Sequence, residues 1–204
     1  MYKKNYCNKP IINHFNNGGK INILFVCGTH GDEPAGYYSL KDYDFYNIPN
    51  INFTVVTMNP CGLQKNMRNN PENNQDINRE YGKNNSHNLI LENLLSNYDI
   101  VFDFHEGYDY HIKNPESIGS TLSTKNEYNV CNFIINNLNN YITDNNKKFV
   151  LVKNKGKIKG SLRNFCDNIN KSYVLIETTR IENLNERLKK NDIIIKSIIN
   201  YYKK

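Results

Sequence analysis

Residues 21–36, INILFVCGTHGDEPAG, constrain this chain more than any other stretch. The seven residues Ile21–Cys27 are mostly apolar, rich in isoleucine, valine and phenylalanine, and short enough for a buried strand. Gly28 ends the run, and His30 and Glu33 follow in the turn. Pro34 then suits the first turn of a helix that Ala35, Gly36 and Tyr37 continue. A strand that passes through a polar turn into a helix is where open α/β sheets place their ligands. His30 and Glu33, three residues apart, can converge on one Zn²⁺ through an imidazole nitrogen and a carboxylate oxygen. His-x-x-Glu alone also describes a polar loop with a helix-capping Glu, so the rest of the chain decides between them.

A chain of 204 residues is most simply one domain, 1–204, with enough length to bury a core. Residues 1–20 read as an irregular lead-in ending in the turn Asn16-Asn17-Gly18-Gly19. A mean hydropathy of −0.71 is polar, and asparagine spread evenly along the chain supplies much of that polarity. The net charge of +6 favours anionic partners. The lysines are scattered or in loops and form no stripe, which argues against nucleic acid. The five cysteines are widely spaced with no Cys-x-x-Cys pair, so reduced, mostly buried thiols and a cytoplasmic location are expected. The N-terminal stretch lacks the apolar segment of a signal peptide. No apolar run approaches the roughly eighteen residues of a membrane span, and no membrane partner is expected.

Further strands are predicted at 52–58, 99–104, 149–152 and 173–176. Helices are predicted at 87–97, 127–142 and from about 183 to 202, with a short one capped by Ser161. Residues 59–62, Asn-Pro-Cys-Gly, read as a turn, followed by a long polar loop to 85; a second loop covers 108–124 and a basic one 153–160. Strands alternating with helices imply an α/β fold, a mostly parallel mixed sheet flanked by helices.

Three ionisable motifs sit at predicted strand exits: His30 with Glu33, His105 and Glu177. A fourth exit, at Asn59, opens the loop holding Arg68, Asp76, Asn78 and Arg79. Each has a structural explanation alone, as an edge histidine, a capping acid or a solvated loop. In a parallel sheet all four lie at one edge, where a crevice forms. Two histidines and a glutamate make the three-ligand zinc site of a hydrolase, with an open position in which zinc lowers the pKa of water toward about 7. Glu177 is then placed to take a proton from water and pass it to a leaving amine. An arginine beside the metal would stabilise an oxyanion, and another with an asparagine would hold a carboxylate.

His-Gly-Asp-Glu at 30–33, Asn-Pro-x-Gly at 59–62, Arg68, Asp-x-Asn-Arg at 76–79, Asp-x-His at 103–105 and the strand-end Glu177 together resemble the zinc carboxypeptidase superfamily. GTHGDEPAG and DFHEG look closest to its succinylglutamate desuccinylase/aspartoacylase branch, and Asn-Pro-x-Gly is also similar to carboxypeptidases and murein-peptide amidases. The motifs run in the family's order across residues 23–179. The resemblance implies a zinc-carboxypeptidase-like fold, with one zinc held by His30, Glu33 and His105 and with Glu177 as general base. It makes Arg68 the oxyanion arginine, Asn78 with Arg79 the carboxylate clamp, and Asp76 the acid that orients the first ligand histidine. Asp103 points to the same strand face as His105 and is a further candidate for that kind of support. His111 and Glu106 are the competing metal ligands.

Two departures bear on substrate. Carboxypeptidases carry a substrate-contacting tyrosine on a mobile loop before the general base, where this chain has the basic loop 153–160. Tyr108, Tyr110 and Tyr173 are the nearest tyrosines, and none is in register. The aspartoacylase type also carries a C-terminal β domain, whereas this sequence ends after one helix, so a more open entrance is expected. The loops 63–75 and 108–124, with Tyr108 and Tyr110, are placed to close it. The expected reaction is hydrolysis of an amide bond near a free carboxylate in a small anionic substrate, an acyl amino acid or a peptide C-terminus. A doubly anionic small substrate is expected to be preferred, drawn in by the basic loop. The alternatives are a murein-peptide amidase and a catalytically silent zinc-containing binding module.

Overall fold

The computed structural model describes residues 9–153 and 158–203. Seven strands form one mixed sheet: β1 (Ile11–Phe15), β2 (Ile21–Cys27), β3 (Ile51–Thr57), β4 (Ile100–Gly107), β5 (Thr121–Thr124), β6 (Val150–Lys153) and β7 (Tyr173–Thr179). Their order across the sheet is β1-β3-β2-β4-β7-β5-β6. The β3-β2-β4-β7 centre is parallel, β1 and β5 pair antiparallel to β3 and β7, and β6 is parallel to β5. The helices are α1 (Ala35–Lys41), α2 (Pro60–Lys65), α3 (Ser86–Leu94), α4 (Tyr128–Tyr141), α5 (Leu162–Asn168) and α6 (Leu184–Tyr202).

Alternation along the strands divides the core into two layers. Ile23, Phe25, Phe53, Phe102 and Phe104 face one side with buried residues of α4 and α6, including Ile134, Leu138, Ile195 and Ile198. Leu24, Val26, Val56 and Val101 face the other, against Leu91 of α3 and Leu162 and Cys166 of α5. Buried on both faces, β2 reads as a nearly continuous apolar run, as central parallel strands do.

Four expectations about secondary structure change. Residues 11–15 of the expected lead-in form edge strand β1, whose Asn13 and His14 mask its apolar pattern; His14 is hydrogen-bonded to Thr54 at 2.9 Å. Residues 59–62 start a helix: Asn59 accepts from the Gly62 amide at 2.9 Å and Pro60 takes the first helical position. The loop expected at 108–124 ends in β5, where Thr121, Ser123, Thr124 and the core residue Leu122 are buried between β6 and β7. β4 and β7 run three residues beyond their apolar stretches, so His105 and Glu177 stand inside strands. Cys27, Cys131 and Cys166 are free and buried as expected, whereas Cys61 is disulfide-bonded, a correction to the reduced-thiol expectation. Residues 154–157 of the basic loop lie outside the described residues.

Candidate active site

The site forms where β2, β4 and β7 end. The turn after β2 carries His30 and Glu33 before α1, and the Glu33 amide donates to the His30 carbonyl at 3.2 Å. Gly31 lets that turn pass against α2, because a Cβ there would lie 2.0 Å from the Gly62 carbonyl carbon. In the parallel register His105 of β4 is opposite Glu177 of β7.

His30, Glu33 and His105 are buried, and their ligating atoms all lie within 4.8 Å of one another. Nδ1 of each imidazole is 2.8 Å from one Glu33 oxygen, His30 from Oε1 and His105 from Oε2. Behind them, His30 Nε2 is 3.1 Å from Asp76 and His105 Nε2 is 3.3 Å from Asp103. Two nitrogens and a carboxylate, with both rings backed by acids, form a donor set that fits zinc.

Arg68 donates to Glu33 Oε1 at 3.0 Å and lies 3.7 Å from Asp76. Asp76 caps the short 3₁₀ turn Ile77–Arg79, accepting from the Asn78 amide at 2.9 Å. Asn78 accepts from the Leu162 amide at 2.9 Å, which ties this loop to the start of α5. A cavity of about 580 Å³ opens over these groups, lined by His30, Glu33, Arg68, Asn78, Arg79, His105 and Glu177 among others. The sequence-predicted residues are therefore brought together, with Asp76 behind His30.

The competitors are drawn off elsewhere. The carboxylate of Glu106 accepts from the Ala35 amide at 2.6 Å and pairs with Arg187. His111 is occupied by the Ser117 carbonyl at 2.6 Å. The Tyr110 hydroxyl donates to Glu182 at 2.7 Å, away from the cavity, while Tyr108 lies on the cavity wall. Arg180 and Arg163, which sequence reasoning passed over, also line the cavity. Arg180 donates to Glu33 Oε1 and Asp32 Oδ2, both at 2.8 Å, and to the Glu106 carbonyl at 3.2 Å. Its signal was its place three residues beyond Glu177; Arg163, on a short helix with no motif around it, offered none.

Burial and charge act against each other here. Burial pushes the Glu33 carboxyl up, but the His105 and His30 imidazoles outweigh it and hold it well below its usual range. Burial disfavours a charged His105, yet Asp103 and Glu33 raise its pKa well above the ordinary value. Asp76, despite partial burial, is held down to about 2, chiefly by His30 and then by Arg79 and Arg68. Burial pushes Glu177 well above the usual carboxylate range; His105 and Arg180 oppose this, and Glu33 and Asp103 reinforce it.

The sheet, its flanking helices and the edge cluster define a zinc-carboxypeptidase-like α/β fold. Within that class the chain belongs to the succinylglutamate desuccinylase/aspartoacylase catalytic-domain family, which it matches over residues 20–193. The tripeptide-bound cell shape determinant Csd4 of Helicobacter pylori superposes with a TM-score of 0.79 at 18% identity, over 95% of this chain and 55% of that one. The mDAP-bound form of Csd4, described as a D,L-carboxypeptidase, gives a TM-score of 0.75 at 19% identity, over 89% and 50%. A succinylglutamate desuccinylase from a Silicibacter species gives 0.71 at 13% identity, over 94% and 60%. These identities carry the fold, and the chain spans about half the length of the Csd4 chains. Comparison with curated protein sequences finds no match. The family and these neighbours are hydrolases. Among the described residues no helix is long and apolar enough to cross a membrane.

Proposed function

We propose that this chain is a zinc-dependent hydrolase that cleaves an amide bond beside a free carboxylate, as an N-acyl amino acid deacylase or a carboxypeptidase. The observation that carries the reading is the buried His30–Glu33–His105 cluster at the base of a cavity that also holds Glu177. One zinc, held by those three residues, would supply a Lewis acid that acidifies water and polarises a carbonyl. Glu177 is the general base: it takes the proton of the attacking water and delivers it to the leaving amine. Arg68, which donates to Glu33 Oε1, stabilises the oxyanion that develops on the carbonyl. Asn78 and Arg79 hold the substrate carboxylate, and Asp76 keeps His30 turned toward the cluster.

Arg68, Arg79, Arg163 and Arg180 all line the cavity, which supports an anionic substrate and the preference for one with two negative charges. Glu177 beside the cluster argues against a silent binding module, which has no use for a general base. The test is a panel of N-acyl amino acids, C-terminal peptides and murein peptides, run with zinc present and with metal content measured. Glu177→Gln should cut turnover by about 10²–10⁴-fold while leaving zinc content intact. Full turnover in that variant would exclude Glu177 as the base. Equal or better kcat/KM on a peptide carrying only its terminal carboxylate would remove the doubly anionic preference.

A further inference from the structure

We infer that Tyr173 is a positioning residue for His105, acting through Asp103 to keep the imidazole turned with Nδ1 toward Glu33. The inference rests on the zinc reading of the cluster and extends it to a residue two contacts away. The parallel register sets Val101 opposite Tyr173, Asp103 opposite Leu175 and His105 opposite Glu177. Asp103 and His105 alternate along β4, and Tyr173, Leu175 and Glu177 along β7, so all five share one face of the sheet. From there the Tyr173 hydroxyl reaches one step along the ladder and donates to Asp103 Oδ2 at 2.7 Å. The same oxygen lies 3.3 Å from His105 Nε2. Each member of the chain is at most 5% exposed.

The support behind His30 is built differently. Asp76 is held by a backbone amide and stands within 4 Å of Arg68 and Arg79, so several groups fix its carboxylate. Asp103 is fully buried, and its Oδ1 receives no hydrogen bond among the described residues. Tyr173 therefore supplies the hydrogen bond that fixes the plane of the Asp103 carboxylate against the ring. Burial and the neighbouring Asp103 push the phenol's pKa well above its ordinary value, so the hydroxyl keeps its proton and remains a donor. Without that hydroxyl the carboxylate can rotate and the imidazole loses its fixed partner, which lowers the site's affinity for metal.

The experiment strips the protein of metal and titrates it with Zn²⁺ in competition with a chromophoric chelator. Tyr173→Phe should bind one zinc about tenfold more weakly than the wild type. Tyr98→Phe is the control: it also removes a buried hydroxyl, one that donates to Thr54 at 2.8 Å in a different part of the core, and it should leave zinc affinity unchanged. Asp103→Asn should also weaken zinc binding, and adding Tyr173→Phe to it should cause no further loss, a non-additivity that general softening of the core does not produce. Wild-type affinity in Tyr173→Phe overturns the inference and leaves the zinc reading standing. If Tyr173→Phe does not fold, wild-type affinity in Asp103→Asn overturns it equally. A wild-type protein that takes up no zinc overturns the zinc reading, and the inference with it.

Discussion

The two imidazoles of the cluster are held by unlike halves of the molecule. His30 stands on a turn, and the groups around it come from loops: Asp76 at a 3₁₀ cap, and Arg68 and Arg79 with side chains 40% and 34% exposed. His105 stands inside β4, backed by Asp103 and Tyr173 and beside Glu177, all withdrawn from solvent. Charge near water is cheaply solvated, whereas charge in the sheet needs fixed partners. The loop half can therefore carry guanidiniums that meet a substrate, and the sheet half keeps the acid and the imidazole in register.

The largest effect that separates the halves comes from Gly31→Ala. A Cβ at Gly31 would meet the Gly62 carbonyl carbon at 2.0 Å and the Met67 carbonyl oxygen at 2.4 Å, backbone atoms that no rotamer change can clear. The turn or α2 must move, at a cost of about 3 kcal/mol. We expect a clearly lower melting temperature and loss of stoichiometric zinc, because the displaced turn carries two of the three proposed ligands. Gly31→Ala with wild-type stability and zinc content would show that the loop half adapts more readily than its packing implies.

Next is Arg68→Ala, measured on the best substrate of the panel. This side chain is part-exposed, so stability should change by no more than about 0.5 kcal/mol. Loss of the proposed oxyanion donor should still lower kcat by about a hundredfold with zinc retained. A change confined to KM would move Arg68 from stabilising the transition state to binding the substrate.

The sequence revealed the two halves unequally. β2, α6 and all three cluster residues were legible because apolar runs end at ionisable residues, and that pattern survives without knowledge of pairing. β1 and β5 were hidden because polar residues in them are satisfied by neighbours distant in sequence, as His14 is by Thr54 and Ser123 by the Val152 carbonyl at 2.7 Å. The ends of β4 and β7 were missed because hydropathy falls at Phe104 and Ile176, although pairing continues to Gly107 and Thr179. Tyr173 reads from the sequence as the start of a strand and as a tyrosine out of register with the family's, and nothing local links it to Asp103. Its tie to Asp103 spans 70 residues and depends on strand alignment, which no local pattern records.

The smallest expected effect concerns salt, and it tests whether substrate charge is met at the loop half. Arg68 and Arg79 are part-exposed, so their attraction for an anion is screened over a Debye length that shrinks from about 10 Å at 0.1 M to about 3 Å at 1 M. Glu177 and His105 are buried beyond the reach of that screening. For a doubly anionic substrate, kcat/KM should fall about fivefold as ionic strength rises from roughly 0.05 to 0.5 M. The change should lie almost wholly in KM, because on the proposed reading capture depends on the exposed guanidiniums, whereas the proton transfers proposed for Glu177 would occur away from bulk ions. A substrate with a single carboxylate should respond less, since it has one charge to screen. If kcat falls with salt while KM stays constant, the buried half is the salt-sensitive one, and the division between a charged entrance and a shielded floor is wrong.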